Sequence, residues 1–152
     1  MRRSAQLRDL SREHPQALRY ALQLKNAVAG GRSREQIYRF VATVTREHLL
    51  PHFALEESAL LSMLKPADLE YAAIRRMLAE HKEIPELAKQ LLQGECADDE
   101  RLLHFAGMLK QHVRLEENEA FPLLEELLST QALDAAQAEI EAGHKFVDIG
   151  WD

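Results

Sequence analysis

The chain has 152 residues, 46% of them hydrophobic and 29% charged, so it is long enough to form one folded domain with a substantial core. A net charge of −6, with no basic stripe, argues against a nucleic-acid-binding surface. No apolar run approaches the ~20 residues of a membrane span. We expect no signal peptide, because no apolar run follows the basic N-terminus. The single cysteine, Cys96, excludes an intramolecular disulfide. We therefore expect a cytoplasmic protein with neither nucleic-acid nor membrane partners.

Apolar residues at steps of three and four predict a first helix from Leu7 to Val28, closed by Gly30-Gly31. Proline is best tolerated in a first helical turn, so Pro15 places the start of the regular part of this helix close to His14.

A second helix is predicted from the capping-box pair Ser33 and Gln36 to about Leu64. Its inward residues step by three or four, and Pro51 should bend it. The inward residues of this helix are Ile37, Val41, Val44, His48, His52 and Glu56.

Pro66 separates the second helix from a third, which is predicted to end near Gly94 and to bend at Pro85. Asp98 or Asp99 caps a fourth helix that runs to about Ser129 and bends near Pro122.

Thr130 can cap a shorter fifth helix, Gln131 to about Ala142, and the tail beyond it has no readable pattern. Alternating apolar residues, which would indicate strands, are absent. The fold class is therefore all-α, an up-down-up-down four-helix bundle with a short extra C-terminal helix. We predict a single domain over 1–152, with the bundle at about 7–129 and the C-terminal helix and tail at about 130–152.

Two related motifs recur at an offset of 60 residues: His52-x-x-x-Glu56 and His112-x-x-x-Glu116. On a helix, this spacing places an imidazole and a carboxylate on one face, one turn apart. Each half of the chain also has an upstream Glu-His pair, Glu13-His14 and Glu80-His81. The chain thus resembles two related helical hairpins, each with a lone histidine followed by a His-x-x-x-Glu motif.

Each predicted bundle helix carries a metal-capable side chain on its inward face. A buried carboxylate beside an imidazole is costly unless its charge is compensated, and a metal ion is the commonest compensation. Two divalent ions and two glutamates leave a charge that an oxide, hydroxide or carboxylate bridge neutralises. Mixed imidazole and carboxylate ligands suit iron, and also manganese or zinc. The candidate ligands are His14, His52, Glu56, His81, His112 and Glu116.

Each of these residues taken alone has a purely structural explanation, because a single buried histidine is usually a hydrogen-bonded core residue. The concurrence on four helices favours the metal site. His48, one turn before His52, is a possible extra ligand, a hydrogen-bonding group in the pocket, or a core residue beside the site. His104 is expected away from the metals. His144 is expected in solvent, with a tail that folds back over the site as a lid as the alternative. Glu57 and Glu117 should point about 100° away from the ligand face, toward the surface or into contacts that support the ligands.

The ligand set resembles that of the hemerythrin-like, or HHE cation-binding, family. The stretch from Leu115 to Leu124 resembles the family's fourth-helix signature, and the resemblance covers about residues 7 to 143. It implies a non-haem di-iron site, oxo- or hydroxo-bridged, with Glu56 and Glu116 as bridging carboxylates. It also implies that His14 and His52 bind one iron, and His81 and His112 the other.

Two departures separate this chain from the oxygen-carrying members that it resembles. Those have a second histidine four residues away on helix three, where this chain has Met77 and Pro85. They also have an aspartate one residue further along helix four than Glu116. The pattern is closer to bacterial iron-repair and nitric-oxide-reactive members and to eukaryotic iron- and oxygen-sensing domains.

The expected function is binding of dioxygen or nitric oxide at a di-iron site, for sensing, storage or stress response, without a catalytic residue. The alternative is a di-iron redox enzyme or iron donor that turns over nitric oxide or peroxide, or repairs iron-sulfur clusters with an unidentified redox partner. The six ligands leave open metal positions for a diatomic molecule or water in either case.

Overall fold

The computed structural model describes residues 3–94, 98–144 and 147–151, and within these ranges the chain is all-helical, without strands. Within the described ranges, five α-helices form a bundle. Cys96 lies outside the described residues. No helix in the described ranges is long and apolar enough to span a membrane. The helices are α1 (Arg8–Ala29), α2 (Arg34–Val44, continuing through Thr45–Leu49 to Leu50–Ala59), α3 (Ala72–Gln93), α4 (Asp99–Leu115, continuing through Glu116–Ala120 to Phe121–Leu127) and α5 (Thr130–Gly143).

Helix α1 begins earlier than the position of Pro15 predicts. A 3-10 turn at Ala5–Leu7 leads into the helix, and Pro15 lies about two turns inside it. The prediction that the regular part begins near His14 is therefore wrong. Leu7 and Leu10 are completely buried, and burial of these side chains outweighs the single backbone hydrogen bond that proline removes.

Wide π turns interrupt α2 and α4 just before a proline. The turn at Thr45–Leu49 precedes Pro51, and the turn at Glu116–Ala120 precedes Pro122. The residue after each turn donates its N–H five residues back, to Thr45 O or Glu116 O. The interruptions predicted at these prolines thus take the form of π turns, which often occur at functional sites.

Side chains cap three of the helices. Ser33 Oγ accepts a hydrogen bond from Gln36 N at 3.2 Å, as the sequence predicts for the start of α2. Asp98 rather than Asp99 caps α4, accepting from Arg101 N at 2.9 Å. At the start of α5 the cap is Ser129, and Thr130 is already the first helical residue.

The C-terminal ends of the helices differ slightly from the predictions. Helix α2 ends at Ala59, followed by 3-10 turns at Leu61–Met63 and Pro66–Glu70, so it stops short of Leu64. Helix α4 ends at Leu127. The N–H of Gly94 closes α3 on Gln90 O at 3.0 Å, in agreement with the predicted end.

Two apolar clusters fill the bundle and leave a polar layer between them. The tail-side cluster contains Ile149, the C-terminal parts of α1 and α3 and the N-terminal parts of α2 and α4. The α5-side cluster contains Leu133, Ala136 and Ile140. On each of the first four helices the candidate ligands separate residues of the two clusters, which are Leu10 and Tyr20 on α1, Leu49 and Ala59 on α2, Met77 and Ile84 on α3, and Leu109 and Ala120 on α4. The site is therefore enclosed at both ends by apolar packing.

The tail, for which the sequence shows no pattern, packs against α1 and α2. Tyr20 Oη donates to Val147 O at 2.8 Å, and Ile149 is 5% exposed. Trp151 stacks on Phe40 with ring centroids 4.2 Å apart. These contacts close the tail-side cluster.

Because Ile140 is completely buried in the α5-side cluster, Ile140→Ala should destabilise the whole bundle by about 2–5 kcal/mol. Urea unfolding followed by circular dichroism measures this change. Gln131→Ala, on the exposed face of the same helix, should stay within about 0.5 kcal/mol of the unmodified protein. An unchanged midpoint for Ile140→Ala would mean that α5 is not part of the cooperative core.

Candidate metal centre

The structure brings the six predicted ligands together in the polar layer. The four imidazoles are 3–6% exposed, and Glu56 and Glu116 are 0% exposed. They form two groups that share both glutamates, and within each group the potential ligand atoms lie within 4.8 Å of one another. One group is His14, His52, Glu56 and Glu116, and the other is Glu56, His81, His112 and Glu116.

Glu116 divides its two carboxylate oxygens between the two groups. Oε1 lies 2.8 Å from His14 Nε2 and 3.7 Å from His52 Nε2. Oε2 lies 3.1 Å from His112 Nε2 and 3.3 Å from His81 Nε2. A carboxylate placed in this way can ligate two ions at once, one through each oxygen.

Glu56 divides its oxygens in the same manner. Oε2 lies 3.2 Å from His52 Nε2, and Oε1 lies 3.1 Å from His81 Nε2. Both oxygens of Glu56 and the Nε2 atoms of His52 and His112 are buried without a hydrogen-bond partner. Buried polar atoms are normally satisfied, so these orphaned donor atoms fit a bound cation.

Without a metal, the histidines compensate the two buried carboxylates. Burial alone would lower the pKa of His81, but its hydrogen bond to Glu116 and the negative charge of Glu56 raise that pKa to about 10. Burial would also lower the pKa of His112, but the negative charge of Glu116 raises that pKa to about 9. Burial would raise the pKa of Glu116, but the neighbouring charge of His112 holds it well below its ordinary value. A divalent ion would replace these protons.

Each inward histidine is held from behind by a further carboxylate. A carboxylate can only accept, so each Nδ1 carries the donated proton and each Nε2 is left to face the site. This pattern fixes the ring orientation and the tautomer that metal ligation needs. The four Nδ1 contacts are His14 with Glu117 at 2.6 Å, His52 with Glu13 at 3.0 Å, His81 with Glu57 at 2.9 Å and His112 with Glu80 at 2.8 Å.

These outer carboxylates link the helices in a closed ring. Glu13 of α1 holds the histidine of α2, Glu57 of α2 holds that of α3, Glu80 of α3 holds that of α4, and Glu117 of α4 holds that of α1. Every outer carboxylate is also the direct sequence neighbour of an inner candidate ligand. Each helix therefore supplies candidate ligands to the site. The residue directly before or after one of these ligands supplies the carboxylate that supports the histidine of a neighbouring helix.

The remaining histidines lie outside the two groups. His48 is buried against the rings of Tyr20 and His52, and burial followed by the charge of His52 lowers its pKa to about 4. His48 is thus a neutral neighbour of the site. His104 is exposed. His144 differs from its predicted solvated position, since its Nδ1 contacts Glu13 Oε2.

Sequence reasoning missed the roles of Glu13, Glu80 and His144. The repeated Glu-His dipeptides were a visible signal for Glu13 and Glu80, since each half of the chain has a glutamate directly before its first candidate histidine. Which histidine each carboxylate contacts depends on the packing of neighbouring helices. The contact of His144 depends on the course of the chain after α5 and has no local sequence signal.

Residues 5–124 match the family model described as the hemerythrin HHE cation binding domain. No curated protein and no solved structure matches the chain. All six candidate ligands and all four outer carboxylates lie within the matched residues.

The raised pKa values predict that the metal-free protein loses stability in alkali. The stabilisation from His81 and His112 is complete below about pH 6.5, their unfolded pKa, and is lost as pH rises through about 9 and 10. The melting temperature of chelator-treated protein should fall by roughly 5 °C or more between pH 7 and pH 10. Calorimetry on metal-free and iron-loaded samples measures it, the loaded sample changing less. A metal-free melting temperature that stays constant or rises over this range would contradict the charge compensation.

Proposed function

This chain belongs to the hemerythrin HHE cation-binding family, and we propose that it holds two iron ions in the polar layer of its bundle. His14 and His52 would hold one ion, His81 and His112 the other, and Glu56 and Glu116 would bridge them. The observation that carries this proposal is the division of each glutamate's oxygens between the two histidine pairs. Manganese or zinc would suit the same ligands.

We infer that the bundle has up-down-up-down order and that residues 1–152 form a single domain. Along α1 and α3 the chain passes from the α5-side cluster to the tail-side cluster, and along α2 and α4 it passes in the opposite direction. This alternation supports the antiparallel order. The contacts of the tail with α1 and α2 support its inclusion in the domain.

We propose that the loaded site binds dioxygen or nitric oxide. Two imidazoles and two shared carboxylate oxygens per ion would leave coordination positions free, as in other non-haem iron sites that react with oxygen. Iron would supply the redox chemistry of the bound gas. On α3 the site has the imidazole of His81. The positions four residues before and after it hold Met77, which lies in the α5-side cluster, and Pro85.

Aromatic rings shield this site from water. Phe53 stacks on His81 with ring centroids 4.3 Å apart and meets His112 edge-on at 5.1 Å. Phe121 stacks on His14 at 5.3 Å. Apolar walls exclude competing water and favour a small uncharged ligand such as a diatomic gas.

Metal analysis of protein loaded anaerobically with ferrous iron tests the site. We expect two irons per chain, and Glu116→Gln should reduce this to one or fewer because the amide is a poor bridging ligand. Glu119→Gln, exposed on the same helix, is the matched control and should retain both. Two irons in Glu116→Gln would place the ions elsewhere.

Absorption spectra of the ferrous protein, recorded during titration with dioxygen and separately with nitric oxide, test the ligand. We expect a saturable spectral change with at least one gas. No change with either would contradict gas binding, whereas continuous consumption of nitric oxide or peroxide would assign the protein to the enzymatic alternative.

A further inference from the structure

The four outer carboxylates differ in what holds their second oxygen. Glu13 Oε2 contacts His144, at the end of α5. Glu117 Oε2 contacts Arg3 Nη2 at 3.0 Å, and the same guanidinium reaches Glu117 O at 2.6 Å and Glu125 at 2.7 Å. Arg3 and His144 thus form a third layer behind two of the histidines.

Both of these anchors serve the same group. Glu13 supports His52 and Glu117 supports His14, which are the two imidazoles on one side of the shared glutamates. Arg3 and His144 lie outside the residues that match the family model, 5–124. Segments before and after the matched residues therefore converge on the His14–His52 subsite.

The other subsite is held less completely. Glu80, behind His112, contacts Arg76 at 3.2 Å, but that arginine side chain is 44% exposed, against 16% for Arg3. The side chain of Glu57, behind His81, is 46% exposed. In the part of the chain that the structure describes, no cation contacts the second oxygen of Glu57.

We infer that the two subsites hold metal unequally, and that the His81–His112 subsite releases and exchanges its ion first. This inference rests on the proposed two-metal site. An ion leaves when an imidazole ligand swings away, and the carboxylate behind that imidazole resists the movement. His81 has the least restrained support, because water already reaches Glu57 and no cation among the described residues contacts its second oxygen.

The expected size of the inequality follows from known outer contacts of metal sites. Loss of such a partner typically changes metal affinity by 10–100-fold. The His14–His52 subsite has a buried or ion-paired partner behind both imidazoles, and the second subsite lacks one behind His81. We therefore expect the two ions to leave at rates that differ by at least about tenfold.

Release of iron to a ferrous chelator that forms a coloured complex tests this order. Mixed with excess chelator under anaerobic conditions, the two-iron protein should show a fast phase of one iron per chain and a slower phase of the second. Residual protein after the fast phase, isolated and analysed for metal, should retain one iron per chain.

Variants assign the phases to subsites. His144→Ala and Arg3→Ala should accelerate the slow phase by about tenfold and leave the fast phase unchanged, because their carboxylates support His52 and His14. His104→Ala and Arg39→Ala are the matched controls, since both side chains are exposed and Arg39 pairs with Glu35 rather than with an outer carboxylate. Arg3→Lys keeps the charge without the paired donors, and should give an intermediate slow rate even if Arg3→Ala fails to fold.

Release of both irons in one phase would overturn the inference, as would acceleration of the fast phase by His144→Ala or Arg3→Lys. Either result would leave the two-iron proposal intact, because both ions were bound at the start. Failure of the unmodified protein to bind two irons would instead overturn the proposed function.

Discussion

The structure depends on compensating the charge of two carboxylates that have no access to water. Glu56 and Glu116 are completely buried, and removing an ionised carboxylate from water costs several kcal/mol even after relaxation of the protein. Four imidazoles surround them at hydrogen-bond distance and can supply protons, or can turn lone pairs toward a cation. The rest of the bundle keeps these six groups in register.

The ring of outer carboxylates explains how four separate helices hold one geometry. Because each helix supports the histidine of the next, displacement of any one helix would disturb a contact on both neighbours. The imidazole orientation therefore does not depend on one helix alone. Apolar clusters above and below exclude water, which strengthens every charge interaction within the layer.

Helical periodicity and the repeated His-x-x-x-Glu motif predicted the helices and the six converging residues, because both are local patterns. The same pattern also indicates the π turn in α2. Val44, His48, His52 and Glu56 follow one another by steps of four, and at about 100° per residue such steps rotate the stripe by ~40° each in a regular α-helix. A wide turn absorbs this drift. The outer ring and the contact of His144 with Glu13 could not be predicted, since they depend on which helices become neighbours.

The two π turns show that the 60-residue repeat is a repeat of ligands rather than of backbone. In α2 the wide turn precedes His52, whereas in α4 it begins at Glu116 itself. Pro122 has no N–H to donate to Glu117 O, and Arg3 Nη2 donates to this oxygen at 2.6 Å. The proline that shapes α4 thus also creates the acceptor that fixes the N-terminal segment beside the site. Glu117 in the second half of the chain thus has a cationic support that Glu57, its counterpart at the 60-residue offset, lacks among the described residues.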